Sequence, residues 1–198
     1  DEILNHISEL IKTRNPGKKY TTEQLHEAAL AHIGNKPSEE YGVWVYYSWS
    51  NRLVHIPDEA EFIEIRTSRN LYKITPEERA ILLQKKIGVI GLSVGQSVAL
   101  TLIIERICGE IRLADFDVLE LTNLNRIRTG IHNLGLLKVY AAAREIAEID
   151  PFIKVKCFEQ GATEQNLESF FTGGGLLDLL IEESDGMDIK VLSRLKAR

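Results

Sequence analysis

The stretch K-I-G-V-I-G-L-S-V-G-Q-S-V-A-L-T-L-I-I-E-R-I-C-G-E-I-R-L-A-D-F-D-V-L-E-L-T-N-L-N-R, Lys86 to Arg126, decides the fold. Ile87 to Ile90 is short, apolar and β-branched, as a buried strand requires. Gly91 and Gly95 bracket a tight turn. Val98, Leu102 and Ile103 then fall at helical spacing, and Gly109 is the expected helix stop. Ile111 to Ala114 reads as a second strand, ending in acid at Asp115 and Asp117. Strand, glycine turn, helix, strand, acid is the order of a nucleotide-binding βαβ unit.

The chemistry follows from the backbone. A helix begins with unpaired N–H groups and a partial positive charge. Glycines let that backbone approach a phosphate without a Cβ in the way. Asp115 lies 24 positions after Gly91, close to the ~20-residue offset at which an acid meets ribose hydroxyls. The glycine pair by itself is also compatible with an ordinary α/β turn, since Ser93 stands where a middle glycine is expected.

The run D-F-D-V-L-E-L-T-N-L-N-R contains a D-x-D pair, Asp115 and Asp117, followed by Thr122, Asn123, Leu124 and Arg126. Downstream come L-G-L-L-K at Leu134 to Lys138, the pair Asp150-Pro151, and E-S-D-G-M-D at Glu183 to Asp188. Upstream stands Arg66-Thr67-Ser68-Arg69. Together these motifs resemble those of the ThiF/MoeB/HesA and ubiquitin-activating (E1-like) adenylyltransferase family, over about Arg66 to Arg198. The resemblance implies an α/β fold: a Rossmann-like, mostly parallel sheet with flanking helices. It implies ATP-dependent activation of a carboxylate as an acyl-adenylate, with a ubiquitin-like or sulfur-carrier protein as substrate. Some relatives adenylate a small molecule or a tRNA base carboxylate instead.

Residue roles follow from the same resemblance. Gly91, Ser93 and Gly95 form the phosphate turn. Asp115 holds the ribose, and Asp117 supports the metal or the loop. Asn123, Arg126 and Lys138 contact phosphates. Asp185 holds Mg²⁺, a hard cation suited to carboxylate and water. Arg69 offers a planar fork for phosphate oxygens, supplied in trans within a homodimer.

Two other readings remain open: an NAD(P)-binding Rossmann oxidoreductase, and a non-catalytic E1-like interaction module. The T-N-L-N-R run argues against the first, because hydride transfer has no use for it.

Around this unit, 198 residues with 44% hydrophobic and 27% charged content suit a globular protein. A net charge of −5 argues against a nucleic-acid partner. No apolar run approaches the ~20 residues that span a bilayer, so no membrane association is expected. Cys108 and Cys157 form no C-x-x-C pair, and both are expected to pack in the core. A reducing, cytoplasmic setting fits them.

The expected division is a small α+β appendage at residues 1–62 and a nucleotide-binding domain at 63–198, the latter shortened at its C-terminus relative to the family. In the appendage, Ile3, Leu4, Ile7, Leu10 and Ile11 mark one face of a helix. A second helix covers Thr22 to Ile33 behind a capping box at Thr21 and Gln24, with His26 and His32 as ordinary helix residues. Gly42 to Ile56 reads as a β-hairpin turning at Ser50-Asn51. Its aromatics, Trp44, Tyr46, Tyr47 and Trp49, are expected to form a small core, with a recognition surface as the alternative.

In the larger domain, Thr75, Pro76 and Glu78 open a helix running to about Lys85. A loop holding His132 separates Arg126 from a helix over Leu136 to Ile149. Ile153 to Phe158 reads as a strand and Thr163 to Phe171 as a helix. Leu176 to Ile181 reads as a buried parallel strand, and Ile189, Leu192 and Leu195 mark a final helix.

Overall fold

The structure is a computed structural model that describes residues 2–70 and 72–197. The chain divides into two compact units, Asp1–Ile74 and Thr75–Arg198.

In the first unit, α1 (Ile3–Arg14) and α2 (Thr22–Ile33) bury Ile7, Leu10, Ala29 and Ile33 against each other. The Thr21–Gln24 capping box forms as its sequence requires. Strands β1 (Val43–Tyr47) and β2 (Arg52–Ile56) pair antiparallel, with Trp44 opposite His55 and Tyr46 opposite Leu53. The aromatic core expected here does not form. Trp44 and Tyr46 are exposed, because α1 and α2 fill their core with aliphatic side chains. Trp44 instead stacks on His55 with ring centroids 4.1 Å apart and donates its Nε1 proton to the Glu39 carbonyl.

Helix α3 (Glu59–Arg66) closes the unit, and its Glu61 accepts hydrogen bonds from Tyr41 at 2.8 Å and lies 2.7 Å from His32 Nε2. His32 is therefore part of a polar cluster joining α2 to α3. Burial and the neighbouring Glu61 carboxylate push the Tyr41 hydroxyl well above its ordinary value.

The second unit opens with α4 (Pro76–Leu82), capped by Thr75 and Glu78. Then follow β3 (Lys86–Ile90), α5 (Gly95–Glu105), β4 (Glu110–Ala114), α6 (Lys138–Ile149), β5 (Lys154–Phe158), α7 (Leu167–Thr172), β6 (Leu179–Glu182) and α8 (Met187–Lys196). Four strands form one parallel sheet in the order β5-β4-β3-β6. Successive side chains of a strand face opposite sides, so Ile87 and Val89 join the core beneath α5 and α6, while Ile90 joins Phe170 and Phe171 of α7. Both faces of the central strands are covered, as parallel sheets require.

Three expectations are corrected. Gly109 does not stop α5. The helix ends at Glu105, and Arg106 takes the left-handed conformation at φ 55°. That conformation is unfavourable for a residue with a Cβ, and it is held by a buried ion pair from Arg106 Nε to Asp150 Oδ2 at 2.6 Å. Strand β6 is not fully buried, since it lies at the sheet edge among the described strands and Leu179 is half exposed. Cys108 is buried as expected, whereas Cys157 is exposed on edge strand β5. A smaller difference concerns α7, which starts at Leu167 rather than Thr163. Thr163 and Asn166 exchange side-chain hydrogen bonds with each other's backbone N–H and hold a turn instead.

Candidate active site

The strand order sets the site's place. From β3 the chain moves outward to β4 and β5, then returns to the other side of β3 as β6. The crevice between the carboxyl ends of β3 and β6 is the topological switch point, where open α/β sheets bind ligands.

The glycine turn fills one wall. Gly91 has φ 83°, and a Cβ there would lie 2.7 Å from the backbone of Glu183 and Ser184. Only glycine allows the loops after β3 and β6 to approach so closely. Gly95 begins α5, where a Cβ would strike Val89 at 2.8 Å.

Asp115 braces this turn. It is buried at the end of β4, and its Oδ2 accepts the Leu92 N–H at 2.6 Å. Its Oδ1 accepts the Asp117 N–H at 2.8 Å. Each carboxylate oxygen keeps further acceptor capacity.

Lys138 is the first residue of α6, only 3% exposed. Its Nζ donates to Asp117 Oδ2 at 2.7 Å and to Ser93 Oγ at 3.2 Å. Its backbone N–H donates to the Asp117 carbonyl at 2.9 Å. The glycine turn, the D-x-D loop and the start of α6 are thus tied together around one buried ammonium.

The electrostatics are lopsided. Helices α2, α3 and α4 carry glutamates in their first turns, the normal complement to a helix N-terminus. Neither α5 nor α6 has an acid in its first turn or a side-chain cap. The loop that opens α5 and the lysine that opens α6 therefore meet at the Ser93–Lys138 contact, and neither helix start carries a side-chain cap. Such a point attracts an anion.

The remaining expected residues lie as follows. Asn123 is buried in the 3-10 turn Leu121–Asn125, where its Oδ1 accepts the Glu120 N–H at 3.0 Å. Arg126 follows that turn and is exposed, donating to Asn125 Oδ1 at 2.9 Å. Asp185 is exposed, directly after Ser184, whose backbone packs on Gly91, and it makes no ion pair among the described residues. Arg69 is exposed in the 3-10 turn Ser68–Asn70 of the first unit. Hydrogen bonds directly join Ser93, Asp117 and Lys138, and Asp115 to the turn. They do not link Arg126 or Asp185 to that group.

Sequence reasoning missed Gln96. It is buried in the first turn of α5, and its Nε2 donates to the Arg128 carbonyl at 3.2 Å and to Glu145 Oε2 at 3.1 Å. It fastens the loop beyond Arg126 to both α5 and α6. Burial holds the Glu145 carboxyl above its ordinary value, partly offset by Gln96. A lone amide at the start of an apolar helix was the available signal.

At the end of β6, burial alone would raise the Glu182 carboxyl, but hydrogen bonds from Ser184 and Lys190 hold it below its ordinary value. It is already occupied and not available to a ligand.

Comparison with known proteins bears on the fold and the family. An uncharacterized Mycobacterium tuberculosis protein, MT1398, is 43% identical over 159 residues, which are 80% of this chain and 22% of that protein. The tRNA threonylcarbamoyladenosine dehydratase of Bacillus subtilis is 31% identical over 125 residues, 63% of this chain and 48% of the relative. The chain thus spans less than half the length of each of these relatives. The E. coli tRNA N6-threonylcarbamoyladenosine dehydratase TcdA, solved in complex with AMP, superposes with a TM-score of 0.64 at 25% identity, covering 71% of this chain and 56% of that one. The same enzyme has been solved in complex with ATP. Residues 67–194, the larger part of the sequence and every candidate site residue from Arg69 to Asp185, match the ThiF family, and the chain belongs to that family.

Proposed function

We propose that this chain binds ATP at the carboxyl ends of β3, β4 and β6 and activates a carboxylate as an acyl-adenylate. The observation that carries the reading is the buried Lys138 ammonium, bonded to Ser93 of the glycine turn between two helix starts that lack side-chain caps and acids. A triphosphate is the complement to that arrangement.

In this reading Asp115 both braces the turn and accepts from the ribose hydroxyls. Lys138 and the α5 N-terminus hold phosphate oxygens. Arg126, exposed and held only by local contacts, swings onto the α-phosphate, and Asn123 supports its loop. The substrate carboxylate attacks the α-phosphorus in line, forming a C–O–P bond as the bond to pyrophosphate breaks. No side-chain nucleophile is required, and charge stabilisation at the phosphorus supplies the rate.

Mg²⁺ fits only as an ion carried by the phosphates. Among the described residues no group of three or more His, Cys, Asp and Glu could hold a metal, and Mg²⁺ commonly takes one or two carboxylates plus phosphate and water. Asp185 is the carboxylate assigned to it.

The family resemblance supports a ubiquitin-like or sulfur-carrier protein as acceptor, and a homodimer in which Arg69 serves the neighbouring subunit's site. The dehydratase relatives support a second reading, in which the activated carboxylate is carried by a tRNA base. Isotopic ATP–pyrophosphate exchange separates the two. Exchange stimulated by a protein with a free Gly-Gly tail supports the first, and exchange stimulated by modified tRNA supports the second. Tight ATP binding with no exchange for either would leave a non-catalytic module.

A further inference from the structure

The residue at the middle of the glycine turn is a serine, and its side chain has a specific partner. Ser93 Oγ lies 3.2 Å from Lys138 Nζ. An ammonium can only donate, so the hydroxyl accepts here. Its own proton is therefore left for another acceptor. Lys138 spends two of its three donors on Asp117 and Ser93, leaving one. The lysine is nearly fully buried, so the contact is formed where water competes little and charge-assisted hydrogen bonds are strongest.

A glycine at this position would contribute only its backbone N–H. A serine adds a second donor at the same point, polarised by the ammonium behind it. We propose that the Ser93 hydroxyl is itself a phosphate-binding group: it takes a hydrogen bond from Lys138 and passes one on to a phosphoryl oxygen of the bound nucleotide. The chain thereby offsets a missing loop glycine with a side-chain donor. This assignment rests on the ATP reading above.

The test is calorimetric titration of the 198-residue chain with ATP and, separately, with adenosine. Wild type, Ser93→Ala, Ser93→Gly and Ser93→Thr are compared, with melting curves to verify folding. The expected result is about a tenfold loss of ATP affinity in Ser93→Ala, since a hydrogen bond to a charged group is worth roughly that or more. Adenosine affinity stays unchanged, and Ser93→Thr restores ATP binding. Ser93→Gly, which returns the backbone to its usual freedom, shows the same loss as Ser93→Ala.

A second arm distinguishes direct contact from mere support of the lysine. In a Lys138→Met background, Ser93→Ala still weakens ATP binding if the hydroxyl touches phosphate. No further loss there overturns the assignment, as does equal ATP affinity in wild type and Ser93→Ala, or an equal loss for ATP and adenosine. A wild-type chain that binds no ATP overturns the nucleotide reading as well, so the two failures are told apart.

Discussion

Lys138 Nζ lies 2.7 Å from Asp117 Oδ2, and the lysine is buried while the aspartate is half exposed. The pair closes the D-x-D loop over the start of α6. It also means that the site's main cation already has a counter-ion. Under the proposed function an arriving phosphate would have to share or replace Asp117, so Lys138 and Asp117 are expected to act in opposite senses on nucleotide affinity.

Lys138→Met keeps the buried stem and removes the charge. It is expected to lower ATP affinity at least tenfold, since a lost charge-assisted contact costs about 1.5–3 kcal/mol. Asp117→Asn removes the competing charge and is expected to tighten ATP or leave it unchanged. Paired titrations read both. Weakening by Asp117→Asn to the level of Lys138→Met would show that the aspartate works with the nucleotide rather than against it.

Asp115 holds the turn through two backbone N–H groups. Asp115→Ala leaves both donors short of a partner at about 1–3 kcal/mol each. The Leu92 and Asp117 amides are expected to exchange hydrogen far faster, with a lower melting temperature. Unchanged protection at both amides would remove the bracing role.

Arg112 is fully buried in β4. It pairs with Glu110 at 2.8 Å and donates to the carbonyls of Phe170 and Gly175 at 2.6 and 2.7 Å. It locks both α7 and the loop before β6 onto the central sheet. Arg112→Met is expected to cost about 3–5 kcal/mol, as for other buried pairs broken from one side. Urea denaturation measures this, and a change below 1 kcal/mol would contradict the role.

Burial alone would raise the Glu110 carboxyl, but Arg112 and Lys156 hold it below its ordinary value of 4.5. A depressed folded value stabilises the fold above pH 4.5 and loses that contribution as pH falls through the folded value. Stability is therefore expected to drop on acidification below pH 4.5. Glu110→Gln should be less stable at pH 7 and show a shallower drop below pH 4.5. An equally steep drop would assign it to other carboxylates.

The glycine turn, the helix after it and the D-x-D pair were legible in sequence because each depends on neighbours in the chain. Gly91 needs its positive φ, Thr75 and Glu78 cap their own helix, and Lys138 opens α6 in its motif. What was illegible is non-local. The left-handed Arg106 is sustained by Asp150, 44 residues later. Arg112 finds its carbonyl partners at Phe170 and Gly175, 58 and 63 residues later. Trp44 and Tyr46 were expected inside because aromatic bulk stabilises small units, but the aliphatic faces of α1 and α2 already fill that core. Asp115 and Lys138 were assigned to the nucleotide from motif position, whereas their contacts to Leu92, Asp117 and Ser93 emerge only once the loops after β3 and β4 meet α6.

The most direct measurement is a crystal structure of the chain with a non-hydrolysable ATP analogue. Phosphate oxygens are expected within hydrogen-bond distance of Lys138 Nζ and the backbone N–H groups opening α5, with ribose hydroxyls on Asp115. An analogue bound elsewhere, with Lys138 still held only by Asp117 and Ser93, would contradict it.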